Sequence, residues 1–119
     1  MEEALQRLYE QAEQARLSGD YTTAQSLLEQ IAQACPSQAC CHWSMGHVLM
    51  NSGDFDAAPV EFQTACDLEP DNPKFLLDLA KFLEMLGEFE QARPYLEKVL
   101  EVAPTSREAS EAKKSLSYY

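Results

Sequence analysis

One tripeptide spelling occurs three times at a constant interval. Gly19-Asp20-Tyr21, Gly53-Asp54-Phe55 and Gly87-Glu88-Phe89 stand 34 residues apart, and Pro36, Pro70 and Pro104 keep the same beat. A period of about 34 residues is that of a helix–turn–helix unit that buries an apolar face against the next copy. Such a chain displays a surface, and its expected work is to bind another protein.

Aligned on the prolines, the units run 5–38, 39–72 and 73–106, and 107–117 follows as a capping helix. Seven helices in a single domain, 1–119, are expected. In each unit the glycine ends the first helix, because it tolerates the left-handed conformation of a helix stop. The acid after it is expected to cap the second helix, and the aromatic to pack inward and lock the turn. Leu76, Leu79, Ala80 and Leu83 follow helical i, i+3, i+4, i+7 spacing, as do Ala92, Leu96, Val99 and Leu100. Ala12, Gly46 and Ala80 recur at 34, and so do Ala24, Ala58 and Ala92. Small residues there let two helix axes approach. Pro59 and Pro94 are expected to bend second helices gently. Thr105-x-x-Glu108 spells a capping box for the last helix. Tyr118 and Tyr119 are expected to fray.

These positions resemble the tetratricopeptide repeat family, whose motif places a large residue, a Leu-Gly pair and a Tyr on one helix, Ala-x3-Phe on the next and Pro at the end. The second unit spells it Met45-Gly46-x2-Leu49, Ala58-x3-Phe62 and Pro70. The third spells it Leu76-x2-Leu79-Ala80-x2-Leu83, Ala92-x3-Leu96 and Pro104, and the first is the loosest. The resemblance implies an all-α, right-handed α-solenoid of three repeats plus a C-terminal capping helix. It also implies that the first helices line a concave groove.

Trp43, His47 and Met50 form a stripe separate from the core positions Met45, Gly46 and Leu49. Tyr9, Trp43 and Leu77 share one repeat position, Glu13, His47 and Lys81 another, Arg16, Met50 and Glu84 a third. The candidate partner-binding groove is therefore Tyr9, Glu13, Trp43, His47, Met50, Lys74, Leu77 and Lys81. Trp43 is expected to be partly exposed there, as an aromatic anchor flanked by polar groups. Packing of Trp43 and Leu77 against neighbouring helices is the competing reading. One subclass of the family grips a C-terminal carboxylate through Lys and Asn. Here Tyr9, Glu13, Ser44, Lys74 and Asp78 stand at those positions, only Lys74 fits, and that function is rejected.

Nine basic residues face twenty acidic ones, for a net charge of −11, and no Lys or Arg occurs from Leu17 through Pro73. A field of that sign repels phosphate, which argues against nucleic acid and anionic membrane and favours a basic or mixed-charge protein with apolar anchors. No basic stretch precedes an apolar one at the start, so a cytoplasmic location and reduced cysteines are expected. Cys35, Cys40 and Cys41 lie near His42 and His47, but without a matching distal pair they do not spell a zinc site. They read as small buried apolar residues, with Cys40 the most exposed thiol. The glycines are dispersed, so there is no phosphate loop, and no nucleophile motif appears. No cofactor, metal or enzymatic activity is expected. The function expected is non-catalytic protein binding. The alternatives are a holder of a client protein resembling secretion chaperones, and a scaffold that self-associates.

Overall fold

The computed structural model describes all residues, Met1–Tyr119, and contains seven helices and no strands. They are α1 (Glu3–Leu17), α2 (Tyr21–Ala34), α3 (Ala39–Asn51), α4 (Ala58–Leu68), α5 (Pro73–Met85), α6 (Phe89–Val102) and α7 (Arg107–Leu116). They fall into two compact units, Met1–Leu68 and Glu69–Tyr119.

The three hairpin turns are built alike. Gly19, Gly53 and Gly87 have φ of 85°, 90° and 82°, where a Cβ would be strained. Each turn is closed by two backbone bonds. Gly19 N–H donates to Arg16 O and Asp20 N–H to Ala15 O; Gly53 and Asp54 repeat this on Met50 and Leu49, Gly87 and Glu88 on Glu84 and Leu83. This is the Schellman closure, which satisfies the last carbonyls of the first helix.

The acids divide. Asp20 accepts from Thr23 N–H at 3.2 Å and Asp54 from Ala57 N–H at 3.1 Å. Glu88 makes no side-chain cap. The aromatics do not pack inward as expected: Phe55 is 46% and Phe89 51% exposed, and Tyr21 is half-buried. With two backbone bonds already closing the turn, no ring is needed to lock it.

The prolines act differently from one another. Pro94 lies inside α6, as expected, whereas Pro59 is the second residue of α4. Ala58 N–H already donates to Asp54 O at 3.2 Å, as Ala24 does to Asp20 and Ala92 to Glu88, so the proline removes the next bond of the ladder, the one to Phe55 O. The residues ahead of it, 55–57, form a turn, so α4 has 11 residues against 14 in α2 and α6. Pro59 thus delays the start of the regular α4 ladder.

In the second unit Asn72 caps α5 by accepting from Lys74 and Phe75 N–H, with Pro73 at the first position. The cap of α7 is Ser106, not Thr105: its Oγ accepts from Ala109 N–H at 3.0 Å. Tyr119 is not frayed, since its hydroxyl donates to Glu84 Oε2 at 2.9 Å.

The core is the set of small and apolar positions. Ala12, Ala24, Ala58, Ala80 and Ala92 are fully buried, with Leu28, Phe62 and Leu96 beside them in the repeat register. A Cβ on Gly46 would meet the Phe62 ring at 2.8 Å, so this crossing leaves no room for a methyl group.

Candidate partner-binding surface

In the first unit, α1 and α3 bring four of the candidate residues, Tyr9, Glu13, Trp43 and His47, into one chain of contacts. Ser44 is fully buried and its Oγ donates to Glu13 Oε1. Its single proton is thereby used, so the Tyr9 hydroxyl, 3.0 Å away, donates to Ser44. Arg16 completes the set with Nη2 donating to Glu13 Oε2 at 2.5 Å. The Arg16 guanidinium also lies 5.2 Å from the Trp43 ring centroid. Trp43 meets His47 edge-to-face at 4.6 Å, and His47 meets Phe62 at 5.1 Å.

The electrostatics follow from burial and donors. Burial raises the pKa of Glu13, but the hydrogen bonds from Arg16 and Ser44 and the Arg16 charge outweigh it and hold the carboxyl below its usual range. Burial pushes the Tyr9 phenol up, which keeps it a neutral donor.

The exposure expected of Trp43 is not found. It is 8% exposed, as a member of the core. Arg16 and His47 flank its ring, so the side chain that sequence spacing offers as an anchor supports the surface instead. Arg16, Glu13, His47 and Met50 are half-buried. Ser44 and Arg16, which tie the two helices together, lie outside the candidate groove set, although Arg16 shares the repeat position of Met50 and Glu84. Contacts from α1 to α3 span 35 residues (Tyr9–Ser44), 31 (Glu13–Ser44) and 27 (Arg16–Trp43). The 34-residue period marks equivalent places, whereas touching places depend on the tilt between helices.

In the second unit, α5 carries Lys74, Leu77 and Lys81. Leu77 is 5% exposed and belongs to the core. Lys74 and Lys81 are exposed. Lys81 donates to Glu111 Oε2 on α7 at 2.7 Å, and this bond with its charge lowers the Glu111 pKa. Ser115 donates to Glu84 at 3.4 Å, so α7 holds α5 at spacings of 30 and 31 residues, much as α3 holds α1.

A cavity of about 310 Å³ lies in the first unit on α2, α3 and the start of α4, with Glu29, Cys41, His42, Asp54 and Glu61 in its wall. His42 is held from both sides, by Glu61 Oε2 on Nδ1 and Pro36 O on Nε2, each at 2.7 Å. Both partners accept, so the ring satisfies the two together only in its doubly protonated form. Burial opposes the charge, but Glu61 and the Pro36 carbonyl prevail and raise the pKa. Cys41 and Cys66 are buried, and Cys35 and Cys40 half-buried. The hydrogen bond that the Cys41 thiol gives to Cys40, together with burial, pushes that thiol up, away from nucleophilic thiolate. No three His, Cys, Asp or Glu side chains converge as a metal ligand set. No helix is long and apolar enough to cross a membrane.

A tetratricopeptide repeat family model matches residues 49–116. Cell division cycle protein 27 homolog A of Arabidopsis thaliana is 31% identical over 68 residues, which is 57% of this chain and 9% of that protein. Cellulose synthase operon protein C of Xanthomonas axonopodis pv. citri is 32% identical over 83 residues, 70% of this chain and 5% of that one. The chain thus spans less than a tenth of either relative. Among solved structures, the Yersinia enterocolitica type III secretion chaperone SycD in complex with a peptide of the translocator YopD superposes with a TM-score of 0.84 at 20% identity. That match covers 99% of this chain and 90% of SycD, and it shows the all-α repeat fold. With the glycine turns, the small crossings and the family match in agreement, the chain belongs to the tetratricopeptide repeat family.

Proposed function

We propose that the chain is a non-catalytic protein-binding module that takes a peptide or helix of a partner on the face formed by α1 and α3. The observation that carries this reading is the surface formed by α1 and α3. Four half-buried side chains of unlike chemistry, Glu13, Arg16, His47 and Met50, stand over a buried layer of Ser44 and Trp43. Rigid support under adaptable polar and apolar contacts is how a docking face gains affinity without losing order on binding. Trp43 acts from beneath this face as its support. SycD, which shares the fold, holds a peptide of YopD. The family relation supports the same class of ligand here.

The test is selection of peptides from a random display library on the intact chain. The selected peptides are then measured against His47→Glu/Met50→Asp, whose side chains are half-exposed and whose fold is checked by circular dichroism. We expect binding at least tenfold weaker in the variant. Equal binding would place the docking face elsewhere. The second reading, a chaperone-like holder that self-associates, predicts a concentration-dependent sedimentation coefficient for the unliganded chain.

A further inference from the structure

A second surface lies within Glu69–Tyr119 and stands or falls independently of the function proposed above. After α7 the chain turns back, and Tyr119 settles over α5 and α6. Its ring meets Phe89 edge-on at 6.0 Å, its hydroxyl donates to Glu84, and the Arg93 guanidinium lies 5.1 Å from its centroid. Beside these groups is a cleft of about 580 Å³, walled by Phe89, Tyr118 and Tyr119 and rimmed by Glu84, Glu90 and Arg93. Phe89 is about half exposed and Tyr118 largely so, which is unusual for rings that converge on one space.

The charges decide what such a cleft can hold. Arg93 is occupied by the Tyr119 ring and faces Glu90 at 3.9 Å. Two carboxylates against one guanidinium leave the rim negative, within a chain of net charge −11. An anion is repelled. A purely apolar group would cover the rings but strip water from Glu84 and Glu90 without replacing its hydrogen bonds. A cation on an apolar stem satisfies both, with its stem on the rings and its head between the carboxylates. Arg93 on Tyr119 already displays that packing within the chain.

We propose that this cleft takes the basic side chain of a partner protein, an arginine or a lysine, against Phe89, Tyr118 and Tyr119 and between Glu84 and Glu90. Tyr118 and Tyr119 build one wall of the site, so both belong to the binding element.

The experiment follows the aromatic NMR signals of Phe89 and Tyr119 in the full chain. The titrants are the Nα-acetyl N-methylamides of arginine, lysine, leucine and glutamate. Arginine and lysine should give saturable shifts that weaken as salt is raised. Leucine should bind about fivefold or more weakly than arginine, and glutamate not at all. Glu84→Gln/Glu90→Gln, which keeps the shape of the cleft, should bind arginine several-fold more weakly. Tyr119→Ala should abolish the Phe89 response while the helical spectrum stays unchanged. Equal binding of leucine and arginine would overturn the proposal in favour of a plain apolar groove. Shifts that depend on protein concentration alone would overturn it in favour of a second copy of this chain. The absence of any saturable shift would overturn it outright.

Discussion

Two hairpins of this chain, α3–α4 and α5–α6, share one backbone pattern and fill it differently. At the crossing, Gly46 lies against the Phe62 ring, while the same positions 34 residues later hold Ala80 and Leu96. Bulk has moved from one helix to the other, and all four residues are buried. Next to the crossing, the charged pair His42 and Glu61 is replaced by Leu76 and Tyr95. At the place of Trp43 stands Leu77. The repeat thus fixes where the backbone goes and how much volume each crossing holds. It leaves open which helix supplies the volume, and whether charge or hydrocarbon joins the pair.

The largest expected effect breaks the comparison at Trp43 and Leu77. Trp43→Ala removes a ring that is 8% exposed, covered by Arg16 and edge-to-face with His47, and should cost about 3–5 kcal/mol in chemical denaturation. Leu77→Ala, at 5% exposure, should cost about 2–5 kcal/mol. A Trp43→Ala protein as stable as wild type would mean that the indole lies on the surface after all.

The exchange at the crossing comes next. Gly46→Ala drives a methyl group to 2.8 Å from the Phe62 ring and should cost about 1–3 kcal/mol. Adding Phe62→Leu copies the Ala80–Leu96 arrangement and should recover most of that loss. The two changes should therefore be coupled by more than about 0.5 kcal/mol in a double-mutant cycle. Strict additivity would show that the two sites do not share one volume.

The smallest effect sharpens the charged difference. The folded-state pKa of His42 lies above its unfolded value, so its stabilisation is fully present below the ordinary imidazole value and is lost as pH rises through the raised one. The gap in stability between wild type and His42→Leu should shrink by less than about 1 kcal/mol as that window is crossed upward. A gap that stays constant with pH would remove His42 as the titrating group.

Most of the fold was legible because it rests on local rules. Glycines at fixed spacing needed a left-handed backbone, and Asp20 and Asp54 cap as their type suggests. The α4 start was not legible, because Pro59 reads alike as a bend and as a first-turn residue until the helix boundary is known. The surface was legible only as a face. Periodicity placed Tyr9, Glu13, Trp43 and His47 on that side of α1 and α3. It could not show Arg16 closing over Trp43, because that contact depends on interhelical tilt, which repeat spacing does not encode. The His42–Glu61 pair joins different helices 19 residues apart, a separation with no signature in either helix.

The double backbone closure at Gly19, Gly53 and Gly87 has an evolutionary corollary. Such a corner has no slack, so adding one residue to it would rotate everything downstream out of phase. Lineages carrying this design can lengthen it by duplicating entire modules or by splicing sequence into the links between hairpins, while the corners themselves stay constant in size.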